Sequence, residues 1–220
     1  STDGAILNFR KDTTTVGSIG TTSSDLTIDG PSEHTGLRFE AYDITPRHNG
    51  SASNGVNDLG TSSSRFKDLY LSSGVYLGGT GSANHLDDYE EGTHQPTVAM
   101  TTSGTVTLLT AHNTFSYTKI GRLVTITGNP RIDSVSSPVG AMTFTLPFTS
   151  ASGASDEKRS GFVVNYYDDS AGSGSHRRFV SGQVSDNANV VTLDLAHSFN
   201  NNITPASGDE VYFNFSYIVP

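Results

Sequence analysis

Within residues 165–178, NYYDDSAGSGSHRR, two tyrosines, two aspartates, a histidine and two arginines flank a glycine–serine tip. Aromatic faces stack on sugar rings, carboxylates accept sugar hydroxyls, and a guanidinium forks onto uronate or sulfate groups. Tyr166, Tyr167, Asp168, Asp169, His176, Arg177 and Arg178 are therefore the candidate receptor- or glycan-binding residues. Two other readings stand beside this one: an ordinary hairpin whose charges keep its tip soluble, and ion pairs between chains through Arg177 or Arg178. The loop SASGASDEKRSG, residues 150–161, is a second candidate.

Catalytic chemistry does not find its spacing. Serine is so frequent that its nearness to a histidine means little, and no G-x-S-x-G elbow occurs. The carboxylates Asp133, Asp156, Glu157, Asp168, Asp169, Asp186, Asp194, Asp209 and Glu210 fall mostly at turns, which Asp favours for backbone reasons. They do not read as a pair set across a cleft. No catalytic residue is assigned, and the chain is expected not to be an enzyme. Gly78-Gly79-Thr80-Gly81 is followed by no lysine and no predicted helix, so it fails as a phosphate cradle. Asp87-Asp88-Tyr89-Glu90-Glu91 does not alternate its acids around a glycine as a calcium loop does. It reads as a solvated collar or as ion pairs to a neighbouring chain. The histidines at 34, 48, 85, 94, 112, 176 and 197 include no His-x-His or i, i+4 pair, so no metal or cofactor is assigned; in a trimer a single histidine could still meet its two copies on the axis.

The scaffold for those loops is written in period two. Met142, Phe144, Leu146 and Phe148 share one face, as do Val211, Phe213, Phe215, Tyr217 and Val219. Similar alternation over Thr105–Leu109, Leu123–Thr127, Phe162–Tyr167, Arg177–Gln183 and Val190–Leu195 predicts an antiparallel β-sandwich or jelly roll over residues 93–220. Residues 1–92 read differently. Turn dipeptides such as Asp29-Gly30 and Asn49-Gly50 separate short extended pieces, among them Ala5–Phe9, Gly36–Ala41 and Val75–Gly78. AILNFRKD and TGLRFEAYD hint at repeated hairpins. None of these pieces closes its own core, and isolated hairpins are marginal in water. A slender β stalk, buried against copies of itself, is the expectation. At the joint, Ser62–Ser64 predict the cap of a short helical turn over Arg65–Asp68, with Phe66, Leu69 and Tyr70 packed and Leu69–Leu71 re-entering a strand.

Composition points the same way. Only 34% of residues are hydrophobic and 16% charged, against about 45–50% and about 25% in ordinary domains. Nine tyrosines and eleven phenylalanines argue against disorder, which leaves a thin-cored, all-β chain that gains burial from partners. A net charge of −9 disfavours nucleic acid as a partner. No run is long enough for a membrane-spanning helix, so no membrane insertion is expected, and the start lacks a signal-peptide layout. The absence of cysteine excludes disulfides and thiolate metal sites.

The string DLGTSSSRFKDLYLSSGVYLGGTGSANHLDDYEEGTHQP, followed by FSYTKIGRLVTITG and the terminal YFNFSYIVP, resembles the C-terminal part of tail fibre proteins of tailed bacteriophages, marine phages especially. LNFRKDTTTVGSIG and TGLRFEAYDITP resemble the units that precede the tip in that family. The strongest motifs lie between Asp58 and Gly128. Where the family reads EEGTWTP, this chain has His94-Gln95 before Pro96. The resemblance implies a homotrimeric fibre segment joined to upstream fibre and tail proteins. Its receptor-binding domain would act outside the cell, on the virion, against a bacterial surface polysaccharide or outer-membrane protein. An alternative is the non-catalytic trimerisation or glycan-binding module of a depolymerase tailspike; a purely architectural cap is a third.

Overall fold

A computed structural model of the chain describes residues 3–152, 160–169, 176–196 and 203–220. The described chain is all-β, with antiparallel sheets and two single 3-10 turns, and divides into two compact units, Ser1–Tyr70 and Leu71–Pro220. The joint expected at 92/93 falls inside a strand, Tyr89–His94, whose six residues all pair within the second unit.

The first unit is a six-stranded meander: β1 Gly4–Lys11, β2 Thr14–Thr22, β3 Asp25–Asp29, β4 Thr35–Phe39, β5 Ile44–His48 and β6 Ser51–Ala52, in that order. Two-residue turns make three of its five connections, β1–β2, β2–β3 and β5–β6. Asn49 and Gly50 both have positive φ, 50° and 72°, the geometry that matches the twist of a hairpin. The register stacks Leu7 beside Ile19, Ile19 beside Ile28, Ile28 beside Leu37, and Leu37 beside Pro46. Leu26, Phe39 and Ile44 form a second row on the same face. The opposite face is polar, and its own side chains cross it: Arg38 pairs Asp25 at 2.6 Å and Arg47 pairs Asp29 at 2.8 Å. Burial is thus inverted. Thr27 and Arg47 are buried, whereas Leu7, Leu26, Ile28, Leu37 and Ile44 are exposed.

Residues 62–64 and 67 bend, and no helical turn forms over Arg65–Asp68 as the sequence predicts. Thr61, not a serine, supplies the local bond, its Oγ1 accepting from the Ser64 N–H at 2.9 Å. A single turn cannot repay its nucleation cost once a hydroxyl offers the backbone this alternative. Phe66, Leu69 and Tyr70 are exposed rather than packed, and Leu69–Leu71 is not a strand.

The second unit opens with the small ladder β7 Val75–Tyr76 and β8 His85–Leu86. Between them the glycine run leads into one 3-10 turn, Ser82–Asn84, where the sequence predicts no helical element. Then come β9 Tyr89–His94, β10 Val98–Met100, β11 Ser103–Leu108, β12 Phe115–Ile120, β13 Leu123–Gly128, β14 Ile132–Val139, β15 Met142–Thr145, β16 Ser160–Asp168, β17 His176–Val184, β18 Val190–Asp194 and β19 Glu210–Ile218. β11 and β14 form a separate ribbon; the others form one sheet ordered β10-β15-β18-β17-β16-β19-β13-β12-β9.

That order forces the sheet to curl. β9 and β10 are its two ends, about 38 Å apart if it were flat, yet only residues 95–97 connect them. Thr97 and Thr145 extend the β10–β15 ladder by one more pair, and across the closure Phe144 of β15 meets Phe115 of β12 at 6.2 Å. The core fills the curl with the alternate residues the sequence marks: Met142, Phe144 and Leu146, then Val211, Phe213, Phe215, Tyr217 and Val219, all buried. β19 changes partners midway, pairing β16 through Glu210–Tyr212 and β13 through Phe213–Ile218.

His94 sits on the closure, half-buried, its Nε2 3.1 Å from both Thr145 O and Oγ1. Burial holds its pKa below the ordinary histidine value, opposed by the Thr145 contact. The unfolded chain therefore takes up the proton first. The neutral ring's contribution is complete above about pH 6.5 and is lost as pH falls through the depressed value. Acidification from pH 7 to 5 is expected to lower the unit's denaturation midpoint, and a His94→Gln variant is expected to show a shallower slope.

Candidate functional site

The hairpin β16–β17 pairs nine residues on each strand, Ser160 opposite Val184 through Asp168 opposite His176. Its period of two divides the residues that the sequence groups. Tyr166, Asp168 and Arg178 lie on the side that carries Val164 and Val180 into the core; Tyr167 and Arg177 face outward with Asn165 and Phe179. Tyr166 is 0% exposed and Asp168 8%, so neither offers a surface to a ligand. Asp168 instead accepts from Arg178 Nε at 3.2 Å. Asp169 is exposed at the hairpin's end. The tip residues 170–175, the side chain of His176, and residues 153–159 of the second candidate loop lie outside the described residues.

Tyr166 belongs to a buried clasp. Its hydroxyl donates to Asp209 Oδ2 at 2.7 Å, while the backbone N–H groups of Ala206 and Asp169 donate to Oδ2 and Oδ1, each at 2.9 Å. Burial, with the Asp209 charge adding to it, pushes the Tyr166 pKa far up, so the ring stays an O–H donor. Burial also raises the Asp209 pKa, against the three donors that favour its charge. Asp168 and Asp209 are near enough to repel, but both are engaged inside rather than set across a cleft. Asp209→Ala strands three donors, and the melting curve is expected to show a loss of about 2 kcal/mol.

The outward face gains residues that the loop reading did not include. β19 brings Glu210 beside Tyr167, and Tyr212 beside Asn165. The Tyr212 hydroxyl donates to Glu210 Oε2 at 2.7 Å, and Asn129 Nδ2 donates to the same oxygen at 3.2 Å. The Tyr212 bond, the Asn129 bond and the charges of Arg131 and His112 hold the Glu210 pKa below the usual carboxylate range, against partial burial. The same bond raises the Tyr212 pKa. Arg177 reaches across β16 to place its guanidinium over the Tyr212 ring, 5.7 Å from the centroid. The one local signal for Tyr212 is its parity: it is the aromatic residue on the polar side of VYFNFSYIV.

No protein-family model, curated protein or solved structure matches this chain. The assignment therefore rests on geometry and on the residues themselves.

The remaining motifs resolve as architecture. The acidic run is used within the chain: Lys119 pairs Asp88, Tyr117 donates to Glu90, Tyr89 donates to Glu91, and His85 lies 3.5 Å from Asp87. Lys119 also lies 5.6 Å from the Phe148 ring centroid, where a cation is attracted to the aromatic face. No cluster of three or more His, Asp or Glu positioned for a metal occurs among the described residues.

Proposed function

We propose that the chain is the distal part of a tailed-bacteriophage tail fibre, a homotrimer that attaches the virion to a bacterial surface glycan. In this reading it is a binding and structural protein: a self-associating β stalk followed by a sandwich-like head, acting outside the cell. The observation that carries it is the uncovered row Leu7, Ile19, Ile28, Leu37 and Pro46 in the first unit. A single-layer sheet cannot bury such a row by itself. Half-burying the five side chains of that row is worth roughly 4–8 kcal/mol per copy, comparable to the whole stability of a small domain. Copies of the same chain supply the cover, and the motif strings between Asp58 and Gly128 supply the family. Weak contacts at each head then multiply across three chains.

The test has two arms. Sedimentation equilibrium at micromolar concentration is expected to give three times the 23.3 kDa chain mass. Fluorescently labelled chain is expected to decorate a bacterial host and to be displaced by that host's purified surface polysaccharide. A clean monomer that adheres to no cells would remove the proposal.

A further inference from the structure

On the outer face of β17, β16 and β19, two cross-strand rows lie side by side: Arg177–Tyr167–Glu210 and Phe179–Asn165–Tyr212. Three strands and one two-residue step span about 10 by 7 Å, the footprint of one sugar ring with its substituents. Within that area stand three aromatic rings, an amide, a carboxylate and a guanidinium. Phe179 and Tyr212 are 53% and 37% exposed, so apolar ring surface faces solvent beside the polar groups. Glu210 is already oriented by Tyr212 and Asn129. Arg177 is oriented by the Tyr212 ring and has no ion-pair partner among the described residues. The fixed acid accepts hydroxyls, the rings stack on a pyranose face, and the uncommitted guanidinium is left for an anion.

We propose that this grid is a shallow subsite for an anionic sugar, one carrying a carboxylate or a sulfate on the pyranose ring. The inference deepens the attachment reading and rests on it for the biological source of the sugar. The chain's net charge of −9 repels polyanions in general, so capture of one requires this local arrangement.

The experiment immobilises the whole 220-residue chain and measures binding of alginate, a polyuronate, of dextran sulfate, and of neutral dextran. Alginate, dextran sulfate or both are expected to bind, the pair separating carboxylate from sulfate, and dextran is expected not to bind. Arg177→Ala is expected to weaken binding at least tenfold with an unchanged melting temperature, because the side chain is exposed. Arg177→Lys keeps the charge but loses the fork, and is expected to fall between the two. Equal binding by the Arg177→Ala and unchanged chains, or binding to neither anionic probe, would overturn the subsite. Host-cell labelling is run in parallel. Labelling that survives Arg177→Ala overturns the subsite and leaves attachment standing; Arg177-dependent alginate binding without cell labelling supports the subsite and removes attachment.

Discussion

A chain carrying Ile28→Glu together with Leu37→Lys is expected to sediment as a monomer at concentrations where the unchanged chain self-associates. The two residues face each other across β3 and β4 and are 44% and 42% exposed in the single chain. Opposite charges placed directly across from one another support strand pairing, so the substitution charges the face without breaking the sheet. Each apolar side chain, already more than half covered in the single chain, forfeits about 0.7–1.5 kcal/mol when withheld from burial. Two therefore weaken association by roughly 10- to 100-fold, before any cost of burying charge. Arg38→Gln, on the opposite face of the same strands, is expected to leave the mass unchanged. Retention of mass by the double variant would show that copies do not meet through this face.

Phe213→Ala is expected to cost about 3–5 kcal/mol, a large part of a net stability of about 5–15 kcal/mol. The ring is buried and meets Phe115 and Phe144 edge-on, both at 5.1 Å, with Phe215 at 5.8 Å. It sits where β19 passes from β16 to β13, so its neighbours come from both ends of the curled sheet. Those neighbours hang on three separate strands and cannot collapse together into the void. The measurement is a denaturant melt followed by tyrosine fluorescence, since the chain has no tryptophan, at fixed chain concentration. Phe179→Ala, on the exposed face, is expected to shift the midpoint little. Equal losses for the two phenylalanines would contradict a core centred on Phe213.

The difference between those two phenylalanines is legible in the residue order alone. Strict alternation in MTFTLPF and VYFNFSYIV marks the core side of β15 and β19, because a half-buried strand admits one solution to its parity. The same rule, carried through V-V-N-Y-Y-D, turns Tyr166 and Asp168 inward. A loop reading of that segment hides the division that a strand reading makes plain. What no local pattern carries is partnership at a distance. Glu210 and Tyr212 reach the hairpin only through the pairing of β19 with β16, and nothing in either segment names the other. The position of β9 and β10 at opposite ends of one sheet is equally silent, since it follows from pairings far apart in sequence. The serine-rich joint misleads for a different reason: its capping signal is real, but four residues are too few for a helix to follow it.

The place of β19 bears on when the second unit can fold during synthesis. It comes latest among the described strands, yet it lies in the interior of the sheet order, flanked by β16 and β13. Without it, the sheet order falls into two parts, β10-β15-β18-β17-β16 and β13-β12-β9, whose β16 and β13 edges would be left bare in the nascent chain. Such edges recruit other strands, and crowded polysomes would present many copies of them at once. Completion of the second unit's sheet thus waits on β19, whose nine residues cover the edges of both β16 and β13.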